Sequence, residues 1–217
     1  MCDAVNLAYL ERHRSLLAGV RSVLEVGSYN VNGNGKRFFL DLGAAYTGID
    51  LRAGPDVDIV CDVTDAWEVV DAAVGRRRFD VVVCMNVLEH VYHPHAALDN
   101  VVRLVRPGGL AVVVTPLVWD LHDWPHDYLR LNPDFFREFA RRRGVRIVDG
   151  TFEFSIRDTG VFVGDLTTLP QVVPHLHGGF AARAARRAVG ALVPEAADCW
   201  PRTYLNLFLQ RPEADSS

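Results

Sequence analysis

Val23-Leu24-Glu25-Val26-Gly27-Ser28-Tyr29-Asn30-Val31-Asn32-Gly33-Asn34-Gly35 is the stretch that decides the fold. Its first part, with Ser22, is an apolar run of strand type that stops at Gly27. A loop rich in glycine, asparagine and serine follows, and a helical pattern resumes at Lys36-Arg37-Phe38-Phe39-Leu40. This reads as strand, tight loop and helix start. Glycine lets a ligand approach the backbone, and a helix start offers N–H groups to it. A glycine-rich loop alone does not name a ligand. Here the next apolar run, Tyr46-Thr47-Gly48-Ile49-Asp50, ends in an acid. An acid at the tip of the second strand is where a nucleoside ribose is held through its hydroxyls.

Outward from this unit, strand and helix patterns alternate. The strand runs are 22–26, 46–51, 58–61, 80–85 and 110–115. Helical patterns fall near 36–44, 64–74, 94–105 and 133–143, after an amphipathic helix over 3–19. Val81–Met85 and Leu110–Val114 are almost continuously apolar, which predicts burial on both faces. Alternation of this kind predicts a parallel sheet covered by helices on both sides. Arg106-Pro107-Gly108-Gly109 reads as a turn before the fifth strand. Residues 145–155 and 203–211 read as two late strands joined by a long excursion, which predicts an antiparallel edge. The expected architecture is an α/β three-layer sandwich with a mostly parallel seven-stranded sheet and an antiparallel C-terminal edge. It forms a single domain over 1–211, with 117–132 and 156–200 as cap or lid segments over a substrate. The excursion contains Pro170, Pro174, Gly178-Gly179 and Pro194, with a short Ala/Arg-rich helix near 180–192. The tail 212–217 reads as disordered.

The 217 residues are 49% hydrophobic and 23% charged, ordinary for a globular protein, and the net charge of -4 argues against a dedicated nucleic-acid binder. Arginine clusters at 76–78, 141–143 and 183–187 read as solvated helix ends. Lys36 is the only lysine. Cys2, Cys61, Cys84 and Cys199 form no Cys-x-x-Cys pair, and Cys61 and Cys84 read as small core residues in a reducing compartment. No apolar run nears the roughly 20 residues a bilayer span needs. The first residues lack signal-peptide order, so a cytoplasmic location is expected, with no membrane partner.

Four segments together resemble the class I S-adenosylmethionine-dependent methyltransferases over residues 20–145. They are Val23–Gly27, Tyr46–Asp50, Phe79–Val91 (Phe-Asp-Val-Val-Val-Cys-Met-Asn-Val-Leu-Glu-His-Val) and Arg103–Val114. The resemblance implies a Rossmann-like fold and S-adenosylmethionine as cofactor. It implies that Glu25 and Gly27 line the methionine end, with the backbone near Ser28 and Gly33 beneath the cofactor. Asp50 takes the ribose hydroxyls beside Leu51, Asp62 and Val63 meet the adenine, and Asn86 offers its carbonyl to the cofactor's amino group. Two of these have plain structural alternatives: Glu25 as a loop cap and Asp62 as a helix N-cap. One departure stands out. Residues 28–32 separate Gly27 from Gly33, so the middle glycine of the family loop is missing and Asn30 and Asn32 stand where small residues are expected.

Methyl transfer needs nucleophile, methyl and sulfur in line and water excluded. A hydroxyl or ammonium acceptor must also lose a proton, for which histidine is suited. His122, His126 and His90 follow the fourth and fifth strands and are the candidate catalytic bases or substrate contacts, with Asp123 and Asp127 able to orient an imidazole. Trp119, Trp124 and Tyr128 are candidate stacking groups. His93 and His95 enrich the segment in potential metal ligands, but they flank a helix start at Pro94 and need not converge with the others, so no metal is expected. The expected reaction is methylation of an O or N atom of a small-molecule acceptor in bacterial specialised metabolism, with a homodimer as the candidate assembly. The alternatives are a non-catalytic cofactor-binding subunit, a nucleic-acid methyltransferase, and a nicotinamide oxidoreductase. The last lacks its Gly-x-Gly-x-x-Gly spacing.

Overall fold

The computed structural model describes residues 4–31, 33–123, 125–157, 161–163 and 202–213. Helix α1 (Ala4–Arg12) is followed by a 3-10 turn, Arg14–Leu17, then β1 (Ser22–Val26), α2 (Lys36–Asp41), β2 (Ala45–Asp50), β3 (Ile59–Val60) and α3 (Trp67–Ala73). The second half has β4 (Phe79–Met85), a 3-10 turn Leu88–His90, α4 (Pro94–Leu104), β5 (Val105–Val118) and α5 (Pro133–Arg143). Strands β6 (Arg146–Ile147), β7 (Glu153–Ile156), β8 (Val161–Val163) and β9 (Thr203–Gln210) complete the sheet.

The strand order is β3-β2-β1-β4-β5-β9-β7-β8, with β6 also on β9. The first five strands pair in parallel, and β9, β7 and β8 pair antiparallel. Alternating side chains divide the core into two layers. Leu24, Val26, Val82, Cys84, Ala111 and Val113 face α3, α4 and α5. Val23, Val81, Val83, Met85, Val112 and Val114 face α1 and α2. Continuous valine runs are required because both faces of β4 and β5 are covered. Cys61 and Cys84 are buried free thiols, as their apolar setting predicts. Sequence order reverses between β1 and β4, so a crevice opens at their carboxyl ends.

Four expectations are corrected. The strand over 145–155 is broken into β6 and β7, both on β9. Gly150 at φ 73 turns the chain out, and Thr151 restores the ladder with its hydroxyl, which donates to the Val148 carbonyl at 2.7 Å and accepts from Phe208 N at 3.1 Å. With β8 added, the described residues form nine strands in one sheet, two more than expected. Arg106–Gly109 is a bulge inside β5 rather than a turn before it: Val105 pairs with Phe79 and Leu110 with Val81. Asp80, opposite the bulge, pairs with Arg106 and accepts from the N–H groups of Arg21 and Ser22 at 2.8 and 2.9 Å. The helix over 3–19 ends at Arg12 and continues only as a 3-10 turn. The expected helix near 180–192, Trp124 and Asn32 lie outside the described residues.

Candidate active site

Gly27 ends β1 at φ 77, where a Cβ would collide with the Val87 side chain. Its N–H and that of Ser28 both donate to the Ile49 carbonyl, at 2.9 and 3.1 Å, carrying the chain across the tip of β2. Glu25 is only 2% exposed. Its carboxylate accepts from Gly35 N at 3.0 Å and from the Tyr46 hydroxyl at 2.7 Å, so it closes the loop onto the start of α2. Burial pushes the Glu25 carboxyl above the usual range against the pull of these two donors.

Several N–H groups of the loop are already engaged within the protein. Tyr29 N donates to Asp50, Asn30 N to the Pro55 carbonyl, Gly33 N to Asn30 Oδ1 and Lys36 N to Asn34 Oδ1. Two of these four acceptors are asparagine side chains of the loop itself.

Asp50 sits at the tip of β2, its Oδ2 accepting from Tyr29 N at 3.2 Å and its Oδ1 from Arg52 N at 3.0 Å. Leu51 beside it is 64% exposed, an apolar platform at the crevice edge. The Ser28 hydroxyl is buried with no hydrogen-bond partner among the described residues. Asn86 follows β4 in a left-handed conformation, φ 56, and its side chain donates to Asn6 of α1 at 2.8 Å. Asp62 accepts from the N–H and hydroxyl of Thr64 at 2.8 and 2.7 Å, making a turn ahead of α3. Val63 is buried in the core, and its carbonyl accepts from Asn100. The structure thus gathers Gly27, Ser28, Asp50, Leu51 and Asn86 around the crevice. Glu25 lies beneath the loop, and the Asp62 carboxylate is engaged by its own turn.

The segment after β5 brings two of the three candidate histidines together. His90 and His122 meet edge to face at 4.8 Å. His122 Nδ1 faces two acceptors among the described residues, the Asp120 carbonyl at 3.1 Å and Asp127 Oδ2 at 3.2 Å, so Nδ1 carries a proton and in the neutral ring Nε2 is the lone pair. Asp127 also receives His122 N at 3.0 Å and both arms of Arg130, one at 2.8 Å, which hold its carboxyl far below the usual range. His90 Nδ1 faces the His126 carbonyl at 2.8 Å, so its Nε2 is also a lone pair. Burial keeps His90 below the ordinary histidine range. His126 is exposed and bonds the Tyr128 hydroxyl at 3.0 Å, supporting the others from outside. His93 and His95 turn away, against Tyr92 and Phe135.

Glu89 is the residue that sequence reasoning missed. It is fully buried, its Oε1 has no hydrogen-bond partner among the described residues, and that oxygen stands 3.7 Å from His90 Nε2. Burial pushes its carboxyl up to about 7. The signal for it was an acid flanked by valine and leucine in Val87-Leu88-Glu89-His90-Val91. One atom each of Glu89, His90 and His122 lies within 4.8 Å of the others, a ligand set that could also hold a divalent cation. Around this cluster stand Tyr92, 72% exposed, and Leu121, 87% exposed, with Tyr128 edge-on to Tyr92 at 5.7 Å.

A parallel half-sheet reversing at β1 and β4, a glycine-ended β1 and an acid at the β2 tip define a Rossmann-like α/β enzyme with a nucleoside-type site. A family model described as methyltransferase domain matches residues 3–146, and the chain belongs to that family. It is 30% identical over 175 residues to the ubiquinone biosynthesis O-methyltransferase of Paraburkholderia xenovorans, 68% of this chain and 73% of that one. It is 25% identical over 179 residues to the protein of the same name in Coxiella burnetii, 70% and 74% of the two chains. Among solved structures, the fold is shared with an Archaeoglobus fulgidus SAM-dependent methyltransferase (TM-score 0.58, 16% identity, 96% and 95% covered). It is also shared with Burkholderia thailandensis 1,6-didemethyltoxoflavin-N1-methyltransferase, solved with that substrate and S-adenosylhomocysteine (TM-score 0.55, 17% identity, 97% and 79% covered). The protein is a methyltransferase that uses S-adenosylmethionine. Among the described residues, no helix is long and apolar enough to cross a membrane.

Proposed function

We propose that this enzyme methylates a hydroxyl oxygen of a small acceptor, with His122 as general base. The observation that carries this reading is the His122–Asp127 pair at the carboxyl edge, which sets a proton on Nδ1 and makes Nε2 the basic nitrogen of the neutral ring. The O-methyltransferase names of the curated relatives support oxygen over nitrogen. When bound, the cofactor supplies a methyl group on a sulfonium. In this reading Asp50 and the backbone at Gly27 and Asn86 hold it, Leu51 backs the adenine, and Glu25 and Ser28 shape the floor. Asp62 and Val63 close the adenine end with their backbone N–H groups, since both side chains and both carbonyls are engaged elsewhere.

His122 takes the hydroxyl proton on Nε2 as the oxygen attacks. Asp127, fixed by Arg130, balances the imidazolium that forms. His90 and Glu89 lie behind His122 and set its surroundings, and Glu89 can hold or release a proton near neutral pH. Tyr92, Tyr128 and Leu121 form an apolar rim suited to a planar phenolic acceptor. We place the reaction in the cytoplasm, on a small molecule of specialised or biosynthetic metabolism rather than nucleic acid, in a monomer or homodimer. A second reading is favoured by the convergence of Glu89, His90 and His122: a divalent cation there would acidify the hydroxyl instead.

The test is transfer of radiolabelled methyl to a panel of phenols, catechols and amines. Product on oxygen, with His122→Ala costing about 10²–10⁴-fold in turnover, supports the reading. Product only on nitrogen, or full turnover without His122, ends it. Loss of activity in a chelator, restored by a divalent cation, selects the second reading.

A further inference from the structure

Asp56 lies in the connection between β2 and β3, in Ala53-Gly54-Pro55-Asp56, a sequence that announces only a turn. Its backbone is left-handed, φ 63, and its carboxylate is a hub. Oδ1 accepts from Lys36 Nζ at 2.7 Å, and Oδ2 accepts from Asn30 Nδ2 at 2.8 Å and Asn34 Nδ2 at 3.0 Å. These donors stand near the beginning and at the end of the loop that lacks the family's middle glycine. Lys36 first, then Asn30, hold the Asp56 carboxyl below the usual range.

The backbone follows the side chains. Asn30 N donates to the Pro55 carbonyl at 3.0 Å, and Asn34 Nδ2 also reaches the Ser28 carbonyl at 3.2 Å. The Tyr29 ring lies on Gly54, where any Cβ would overlap it, and the Arg52 guanidinium stacks over the ring at 5.2 Å. Gly48 has no Cβ because the Asp56 carbonyl occupies that space. One carboxylate thus holds residues 28–31 and 33–36 against residues 50–57. The closure ends at Asp50, whose Oδ2 receives the Tyr29 N–H at 3.2 Å.

A loop turning on closely spaced glycines fixes its shape by backbone alone. A longer loop with asparagines must be ordered by something else, because each free residue adds conformational entropy to lose on binding. We propose that Asp56 is a positioning residue for the cofactor: it orders the 28–36 loop so that the Tyr29 N–H presents the Asp50 carboxylate to the ribose. This rests on the reading that Asp50 holds the cofactor. Binding and closure are then linked, so a ligand on Asp50 must also tighten the Lys36–Asp56 pair.

Lys36, as the only lysine, makes the closure measurable. An amine-acylating reagent on the full chain modifies Lys36 and the N-terminal amine, which peptide mass spectrometry separates. Wild type, Asp56→Ala and Asn34→Ala are titrated with S-adenosylhomocysteine, and Lys36 acylation is timed with and without it. The expected result is a loss of affinity of roughly tenfold or more in Asp56→Ala and a smaller loss in Asn34→Ala. Lys36 acylation slows on ligand addition in wild type and becomes fast and ligand-independent in Asp56→Ala. Equal affinity in folded Asp56→Ala and wild type overturns the proposal. So does ligand-independent acylation in wild type, which reduces Asp56 to a stability role. If Asp56→Ala does not fold, unchanged affinity and acylation in Asn34→Ala overturn it. Failure of wild type to bind the ligand removes the cofactor reading itself, a different outcome from any of these.

Discussion

Glu89→Gln should make this protein more stable and less active. A glutamate carboxyl ordinarily titrates at 4.5, and burial moves Glu89 to about 7. At about 1.4 kcal/mol for each pH unit between the two values, charging the carboxyl destabilises the native state by roughly 2–4 kcal/mol. The sign follows from proton binding. Between the two values the unfolded chain has released this proton and the native chain still holds it, so stability falls as pH rises through the window and levels off above about 7. Glutamine removes the charge and keeps the shape. It loses little, because the one contact of the carboxylate with a side-chain hydroxyl, from Thr115, is long at 3.5 Å. Urea unfolding followed by tryptophan fluorescence, with a chelator present, reads the difference. Wild type and Glu89→Gln should match at about pH 5 and separate by up to about 3 kcal/mol in favour of the variant at about pH 8. Turnover should fall, as expected of a group kept at a cost in stability. A variant less stable than wild type at about pH 8, or one with the same pH dependence as wild type, refutes the reasoning.

Asp50→Ala should weaken S-adenosylhomocysteine binding by about 1.4–3 kcal/mol, the loss of hydrogen bonds to a charged acceptor, while circular dichroism stays unchanged; intact affinity removes Asp50 from the site. Gly27→Ala should cost about 1–2 kcal/mol for the left-handed backbone and more for the overlap with Val87. Adding Val87→Ala should recover only the overlap part, and a double-mutant cycle with no coupling would contradict that geometry. Asp80 is held at about 2 by Arg106 and by the N–H groups of Arg21 and Ser22, against burial, which opposes the shift. Its stabilisation is present above the ordinary carboxylate range and lost as pH falls through the native value. Asp80→Asn should therefore cost about 1 kcal/mol at neutral pH, after allowance for solvent screening, and nothing in strong acid; acid unfolding curves of the two proteins check this.

Much of the fold was legible because local signals and packing agree. Asn132-Pro133 opens α5, with Asn132 accepting from Phe135 N at 3.1 Å, and Gly144 at φ 64 closes it. The valine runs of β4 and β5 and the acid at the end of β2 read directly as parallel strands and a strand tip. The break between β6 and β7 was hidden because Asp149-Gly150 is a short turn inside an otherwise apolar run. The Arg106–Gly109 bulge was hidden because a Pro-Gly-Gly stretch looks the same whether the ladder ends there or skips. In the site, the pairing of His122 with Asp127 was half visible, since the acid was noted as a neighbour but its choice between histidines depended on a loop path. Glu89 and Asp56 were not visible. The first is defined by burial. The second takes its meaning from donors 20–26 residues away in sequence.

The central claim is that the crevice at the ends of β1, β2 and β4 holds S-adenosylmethionine despite its atypical loop. Calorimetric titration of the full chain with S-adenosylhomocysteine, and in parallel with NAD, tests it most directly. The account predicts one site with a dissociation constant on the order of micromolar, about -8 kcal/mol, for the first ligand and no heat of binding for the second. No binding of S-adenosylhomocysteine, or binding of NAD in its place, contradicts it.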